Sequence, residues 1–172
     1  MTYPLPATTE YAPYYQRYVA TVPSGDILVT LQAQADAYRD LFQPVPDARR
    51  LHRYAPGKWS VAESLLHVTD TERVFAYRAL RIARGDTTPL PGFDQDAWVP
   101  ASAANDRPLA DLVQEFLAAR AATLLLFAGL PPDAWDRTGT ASEVPVSVRG
   151  LAFITAGHAQ HHLDLFRSRY LP

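Results

Sequence analysis

Three of the chain's five histidines fall in one short stretch near the C-terminus, Gly157-His158-Ala159-Gln160-His161-His162. His158 and His162 are four residues apart, which on an α-helix leaves their side chains about 40° apart around the axis, stacked on one face. Two imidazoles placed this way can reach one metal ion, and imidazole suits zinc, nickel, copper and iron alike. Leu151, Ile154 and Leu165 fall on the same stripe. The histidines therefore interrupt an apolar, core-facing surface, where their polar atoms need a partner. His161 points about 60° from His158 on the other side and about 100° from His162. It is the alternative to His162 as a ligand, and otherwise a residue of the surrounding pocket.

Two histidines leave a transition metal under-coordinated, so a third protein ligand is expected from another helix. His67 offers one. Its stripe carries Glu63, Asp70, Thr71 and Arg78, with Val74 the main apolar member, while Leu65, Leu66, Val68, Phe75, Ala76 and Leu80 wrap much of the remaining circumference. One narrow polar strip on an otherwise apolar helix predicts a buried element lining a small polar cavity. The expected site is mononuclear, with His67, His158 and His162 as ligands and one position left for water or substrate, the catalytic pattern for zinc. The metal is a single divalent transition ion, zinc or nickel by preference, with iron and manganese also compatible. Asp70, one turn beyond His67, is placed to accept a ring N–H and fix a tautomer. Glu63 and Asp70 are the candidate acids or bases should they face the cavity.

Other chemistries lack their parts. A zincin peptidase needs Glu directly after the first histidine, where this chain has Ala159. A carboxylate-bridged di-iron bundle needs Glu-x-x-His pairs that are missing here. No strand–turn–helix elbow suggests a serine hydrolase. With no cysteine, the chain has no disulfide, thiolate ligand or sulfur nucleophile of its own.

Four helix-compatible stretches must position the histidines. The first opens at Ser24 or Asp26 and runs with helical period through Ile27, Leu31, Ala35 and Tyr38 to Leu41, stopping before Pro44. The second begins with the capping box Ser60-Val61-Ala62-Glu63 and continues to about Ala83. The third starts near Pro108 with Asp106 as its expected cap, and carries Leu112, Phe116, Ala119 and Thr123 toward Gly129. The fourth follows Ser147 and reaches about Arg169. Short helical turns are expected around Tyr11 to Tyr18, Asp94 to Trp98 and Pro132 to Trp135. No long period-2 run argues for a sheet. Proline-rich segments separate the stretches, and the one from Gly85 to Asp106 is longer than an ordinary loop, as a covering segment or a crossover would be. The expected architecture is all-α, an antiparallel four-helix bundle in a single domain over residues 1–172.

Lys plus Arg number 16 against 18 for Asp plus Glu, so charge gives no reason to expect nucleic acid. Arg78, Arg81 and Arg84 read as an ordinary solvated helix face, His52 as a solvated loop residue, and Trp59 and Trp98 as packing residues. Met1 to Pro6 shows neither a basic nor an apolar signal region, and no apolar run is long enough to span a bilayer. A cytoplasmic protein without membrane contact is the expectation.

The segment Tyr54-Ala55-Pro56-Gly57-Lys58-Trp59-Ser60 leading into Glu63, then His67-x-x-Asp70-x-Glu72-Arg73, then Gly157-His158-x-x-His161-His162, resembles the DinB-like superfamily of four-helix metal-binding proteins. The resemblance covers nearly the whole chain. It implies a metal held by one histidine of the second helix and two of the last, which map to His67, His158 and His162. It further implies a homodimer, a small-molecule substrate, and chemistry such as bacillithiol- or mycothiol-dependent transfer. Hydrolysis is the other expected reaction class. The alternative is a non-catalytic stress protein that binds metal or a small ligand, with the metal only tying helices together.

Overall fold

A computed structural model describes residues 3–171. Its architecture follows from where the chain can cap and bury helices. Asp26 caps α2 (Ile27–Phe42) by accepting from the Leu28 N–H at 2.9 Å. At α3 (Val61–Ala83) the expected capping box forms: Ser60 Oγ accepts from the Glu63 N–H at 3.1 Å while Glu63 accepts from the Ser60 N–H at 2.7 Å. Ser147 caps α6 (Val148–Leu165) through the Gly150 N–H, and a wider turn over Phe166–Tyr170 closes that helix.

The third long helix, α5 (Leu109–Ala128), differs from expectation at its start. Asp106 lies in a separate turn (Ala104–Asp106), and Pro108 stands at the cap position. The Leu109 N–H is met instead by Asp47 Oδ1 at 2.8 Å, from a loop remote in sequence. Two short helices, α1 (Gln16–Val19) and α4 (Gln95–Ala101), fall where isolated turns were expected.

A small sheet was not expected. Strands β1 (Thr138–Ala141) and β2 (Val144–Ser147) pair antiparallel, with Thr138 opposite Ser147 and Ala141 opposite Val144. Their two-residue turn, Ser142 and Glu143, is left-handed at both positions without glycine or asparagine, and Pro145 sits inside β2. Sequence rules for hairpins read the opposite from such residues. Leu90 secures the turn from outside: its N–H donates to Thr140 O at 2.9 Å and its carbonyl accepts from the Ser142 N–H at 3.0 Å.

The long helices pack as a four-helix bundle, α3 against α5 and α6, and α2 against the same two. Contacts give their sense. Gln34 meets Ala156 and Tyr38 meets Ala159, so α2 and α6 run parallel. Ser64 meets His162 and His67 meets His158, so α3 and α6 run antiparallel. Tyr38 stacks near Phe116 while Leu31 meets Arg120, so α2 and α5 are antiparallel too. The order is up, down, down, up. Because α3 and α5 share one sense, the chain must travel back along the bundle between them, which explains the long connection after Gly85. That crossover passes along α3 and carries α4.

Apolar side chains form two clusters, one around Leu31, Phe75, Phe127 and Ile154, the other around Tyr38, Leu65, Phe116 and Phe166. On each long helix a polar residue falls between them: Gln34, Glu72, Arg120 and His158. Arg120 is 0% exposed and Glu72 2%. Their bidentate pair spans 2.7 Å at both bonds, and Arg120 also donates to Leu31 O at 2.9 Å and Gln34 Oε1 at 3.1 Å. Removing one partner leaves an uncompensated buried charge. Glu72→Gln should cost about 3–5 kcal/mol, read as a lower urea midpoint, and the apolar double variant Glu72→Leu/Arg120→Met should lose less than Glu72→Gln. Equal midpoints for wild type and Glu72→Gln would refute this account of the layer.

Candidate metal centre

The site forms where α3 and α6 cross the middle of the bundle. His67, His158 and His162 are each about 6% exposed, and one ring nitrogen from each lies within 4.8 Å of the others. His67 Nε2 is 3.1 Å from His158 Nε2, and the ring centroids are 4.6–5.1 Å apart. The outward nitrogens face hydroxyls: His162 Nδ1 lies 3.3 Å from Ser64 Oγ, and His67 Nδ1 lies 3.5 Å from Thr71 Oγ1. With Nδ1 protonated and donating to those oxygens, the Nε2 lone pairs of both rings face the centre.

Burial, reinforced by the neighbouring His161, pushes the His67 imidazole down to about 4. His158 and His162 lie well below the ordinary histidine range, first because they are buried and then because the rings sit close together. All three are neutral at pH 7, the state in which imidazole ligates a metal. Tetrahedral nitrogens each about 2.1 Å from one ion stand about 3.4 Å apart. The His67 and His158 nitrogens are at 3.1 Å and all three lie within 4.8 Å, so small side-chain rotations close the set and it fits a divalent transition metal.

The other expected site residues are placed differently. His161 is exposed, edge-on to Tyr18 at 5.6 Å and to His162 at 5.2 Å, and it lines the cavity beside the cluster. Asp70 pairs with Arg73 at 3.1 Å. The hydroxyl at His67 Nδ1 belongs to Thr71, because a helical side chain leans back over the turn before it, and residue 71 leans onto residue 67. Glu63 is occupied by Arg53, the Ser60 N–H and Asn105, at 3.0, 2.7 and 2.7 Å. Burial pushes its carboxyl up, but these bonds hold it below its ordinary range. It shapes the helix start and does not line the histidine cavity.

Arg78 is buried rather than solvated, donating to Pro91 O at 2.7 Å and Ser142 Oγ at 2.9 Å. It ties the crossover and the hairpin to α3. Trp59, expected to serve packing, stands with its ring 4.7 Å from that of His67. Tyr18, 5.4 Å from His158, was not legible as a site residue, since the short helix carrying it has no periodic signature. What brings it there is Gly157, where an added Cβ would fall 2.1 Å from the Tyr18 carbonyl oxygen.

The cavity beside the cluster measures about 320 Å³ and is walled by Tyr14, Tyr18, Tyr54, Trp59 and Tyr170, with Arg17, Lys58, Gln95, Asp96 and His161 among its polar members. Two larger, mostly apolar grooves lie elsewhere, one by Phe42, Leu109 and Val113, the other by Val74, Tyr77 and Trp98. Neither includes a histidine. No helix of the described residues is long and apolar enough to cross a membrane.

None of the curated protein sequences matches this chain. Among solved structures, YfiT from Bacillus subtilis, described as a probable metal-dependent hydrolase with an unusual four-helix bundle topology, superposes with a TM-score of 0.70 at 13% identity. That match covers 94% of this chain and 91% of YfiT. A mycothiol-dependent maleylpyruvate isomerase superposes with a TM-score of 0.69, also at 13% identity, over 85% of this chain but only 61% of the isomerase. The fold is therefore shared with both. The profile of the DinB superfamily matches residues 30–165, which span the four long helices but for the first three residues of α2 and include the three clustered histidines, and the chain belongs to that superfamily.

Proposed function

We propose that the chain is a metal-dependent enzyme acting on a small molecule, with one divalent ion held by His67, His158 and His162. The observation that carries this reading is the convergence of three buried neutral imidazoles beside a cavity of metabolite size. Zinc and nickel suit the donor set best, with iron and manganese compatible. When bound, the ion supplies Lewis acidity toward water, a thiol or a carbonyl. Ser64 and Thr71 hold ring tautomers, the aromatic walls orient a bound molecule, and His161, which lines the cavity, exchanges a proton with it.

The descriptions of the two structural neighbours, a probable metal-dependent hydrolase and a mycothiol-dependent maleylpyruvate isomerase, support hydrolysis or chemistry with a low-molecular-weight thiol. Any reacting sulfur must come from the substrate, because the chain has no cysteine. Metal-loaded protein should turn over a thiol-plus-electrophile pair or an activated ester. His158→Ala should lower that rate beyond the about 10–100-fold typical of losing an outer partner, with loss of bound metal by elemental analysis. Metal-raised melting temperature without turnover of either substrate would make the protein a non-catalytic binder instead.

Protons compete with metal for these rings, and the sign follows from burial. Unfolded histidine titrates near about 6.5, whereas His67 in the fold is pushed down to about 4. Between those values the unfolded state binds more protons, so stability is complete above the higher value and falls toward the lower. Metal-free protein should therefore melt at progressively lower temperature as pH drops below about 6.5, and His67→Leu should flatten that slope. A slope unchanged in His67→Leu would count against a neutral buried ring.

Homodimer assembly forms part of the proposal. It is supported by large apolar side chains left exposed on α2 and α5, Val29 at 66% and Leu125 at 76%. Sedimentation at micromolar concentration should give twice the chain mass, and Leu125→Glu should give the single chain. A monomer in both cases refutes it.

A further inference from the structure

Lys58 is the only lysine in the chain, beside fifteen arginines. Its position is built. Ala55-Pro56-Gly57-Lys58 forms a tight turn in which the Lys58 N–H donates to Ala55 O at 3.2 Å, with Gly57 left-handed at φ +73°. Proline and glycine in that order are what such a turn requires. The Lys58 carbonyl accepts from Arg53 at 2.6 Å, and the next carbonyl, of Trp59, accepts from Tyr170 at 2.9 Å. The backbone is pinned on both sides while the ammonium is left exposed at the cavity beside the histidines.

Arg17 reaches the same cavity from α1. Its guanidinium lies 4.1 Å from the ring centre of Tyr14 and 4.8 Å from that of Tyr18, and donates to the Tyr18 hydroxyl at 3.1 Å. Rings, not carboxylates, hold it in place. Among the described residues neither Arg17 nor Lys58 forms an ion pair, although Arg39, Arg50, Arg53, Arg73, Arg81 and others do. The cavity's one acidic lining residue is Asp96, so two fixed cations face one carboxylate. Two unpaired cations over a low-dielectric aromatic wall concentrate anions of matching size.

We propose that this cavity admits a small organic anion whose carboxylate or phosphate is held by Lys58 and Arg17, its remaining part lying toward the histidines. The idea rests on the reading that substrate reacts beside these histidines, and it makes Lys58 and Arg17 specificity-determining residues. The matched probes are benzoate and benzamide, which share a ring and differ in charge, with phenyl phosphate as the phosphate arm. Calorimetry on zinc-loaded protein should give benzoate or phenyl phosphate binding at least about tenfold tighter than benzamide, and the tighter of the two names the anion. Lys58→Gln and Arg17→Gln should each weaken the anion by about fivefold or more, with a smaller change for benzamide and none for zinc.

A second readout needs no metal. Amine-reactive acylation, followed by mass spectrometry, should show Lys58 protected by the anion but not by benzamide, with the α-amino group as internal reference. Equal binding of charged and neutral probes overturns the proposal. So does anion affinity that vanishes with zinc yet survives both substitutions, since the anion then sits on the metal alone. If the chain binds no zinc while Lys58 is still protected, the metal reading fails and the anion site stands.

Discussion

A guanidinium with no access to water must find its countercharge inside the protein, and Arg120 finds it in Glu72. The rest of the bundle is arranged around that requirement. Arg120 belongs to α5 and Glu72 to α3, while the remaining donors of Arg120 reach Leu31 and Gln34 of α2. Gln34 then donates to Ala156 of α6 at 2.9 Å. One polar layer thus touches all four long helices and fixes their relative heights. Ala156 is two residues before His158 and Glu72 is five beyond His67, so the layer lies close to the histidines on both helices that carry them. Apolar packing alone, which tolerates substitution and small shifts, sets such registers less sharply.

Much of this was legible in the sequence because it rests on local rules. The capping box at Ser60 and Glu63, the period of α2 and the four-residue spacing of His158 and His162 each follow from helix geometry. The polar strip around His67 was informative in part: His67 lines the cavity and Thr71 and Arg78 are buried, while Glu63 and Asp70 are engaged by arginines. The failures concern partners supplied from a distance. Asp47 replaced Asp106 at the start of α5, and Leu90 and Arg78 stabilise a hairpin whose own residues argue against one. Arg78 illustrates the limit well: its helical spacing is that of a solvated face, and only the returning crossover buries it. The neighbour of His67 Nδ1 turned out to be one residue along from the expected Asp70, a distinction that side-chain direction makes and stripe-counting does not.

The histidines and the cavity beside them are built from different kinds of structure. The rings stand on long helices whose register is locked. Tyr18, Lys58, Trp59 and Gln95 come from a short helix, a turn and the crossover. Sites whose key side chains stand on rigid elements and whose walls come from loops combine a fixed cluster with an adjustable shape.

The crossover between Gly85 and Pro108 follows from the order of the helices. A bundle running up, down, down, up cannot join its second and third long helices without a return strap, so some covering segment is compulsory for the topology itself. It is tied down at Leu90, Pro91 and Asn105, where it touches the hairpin, Arg78 and the start of α3, and by the buried side chains of Val99 and Ala104. Changes in this strap alter the cavity wall at Gln95 and Asp96 and leave untouched the two helices on which the imidazoles stand.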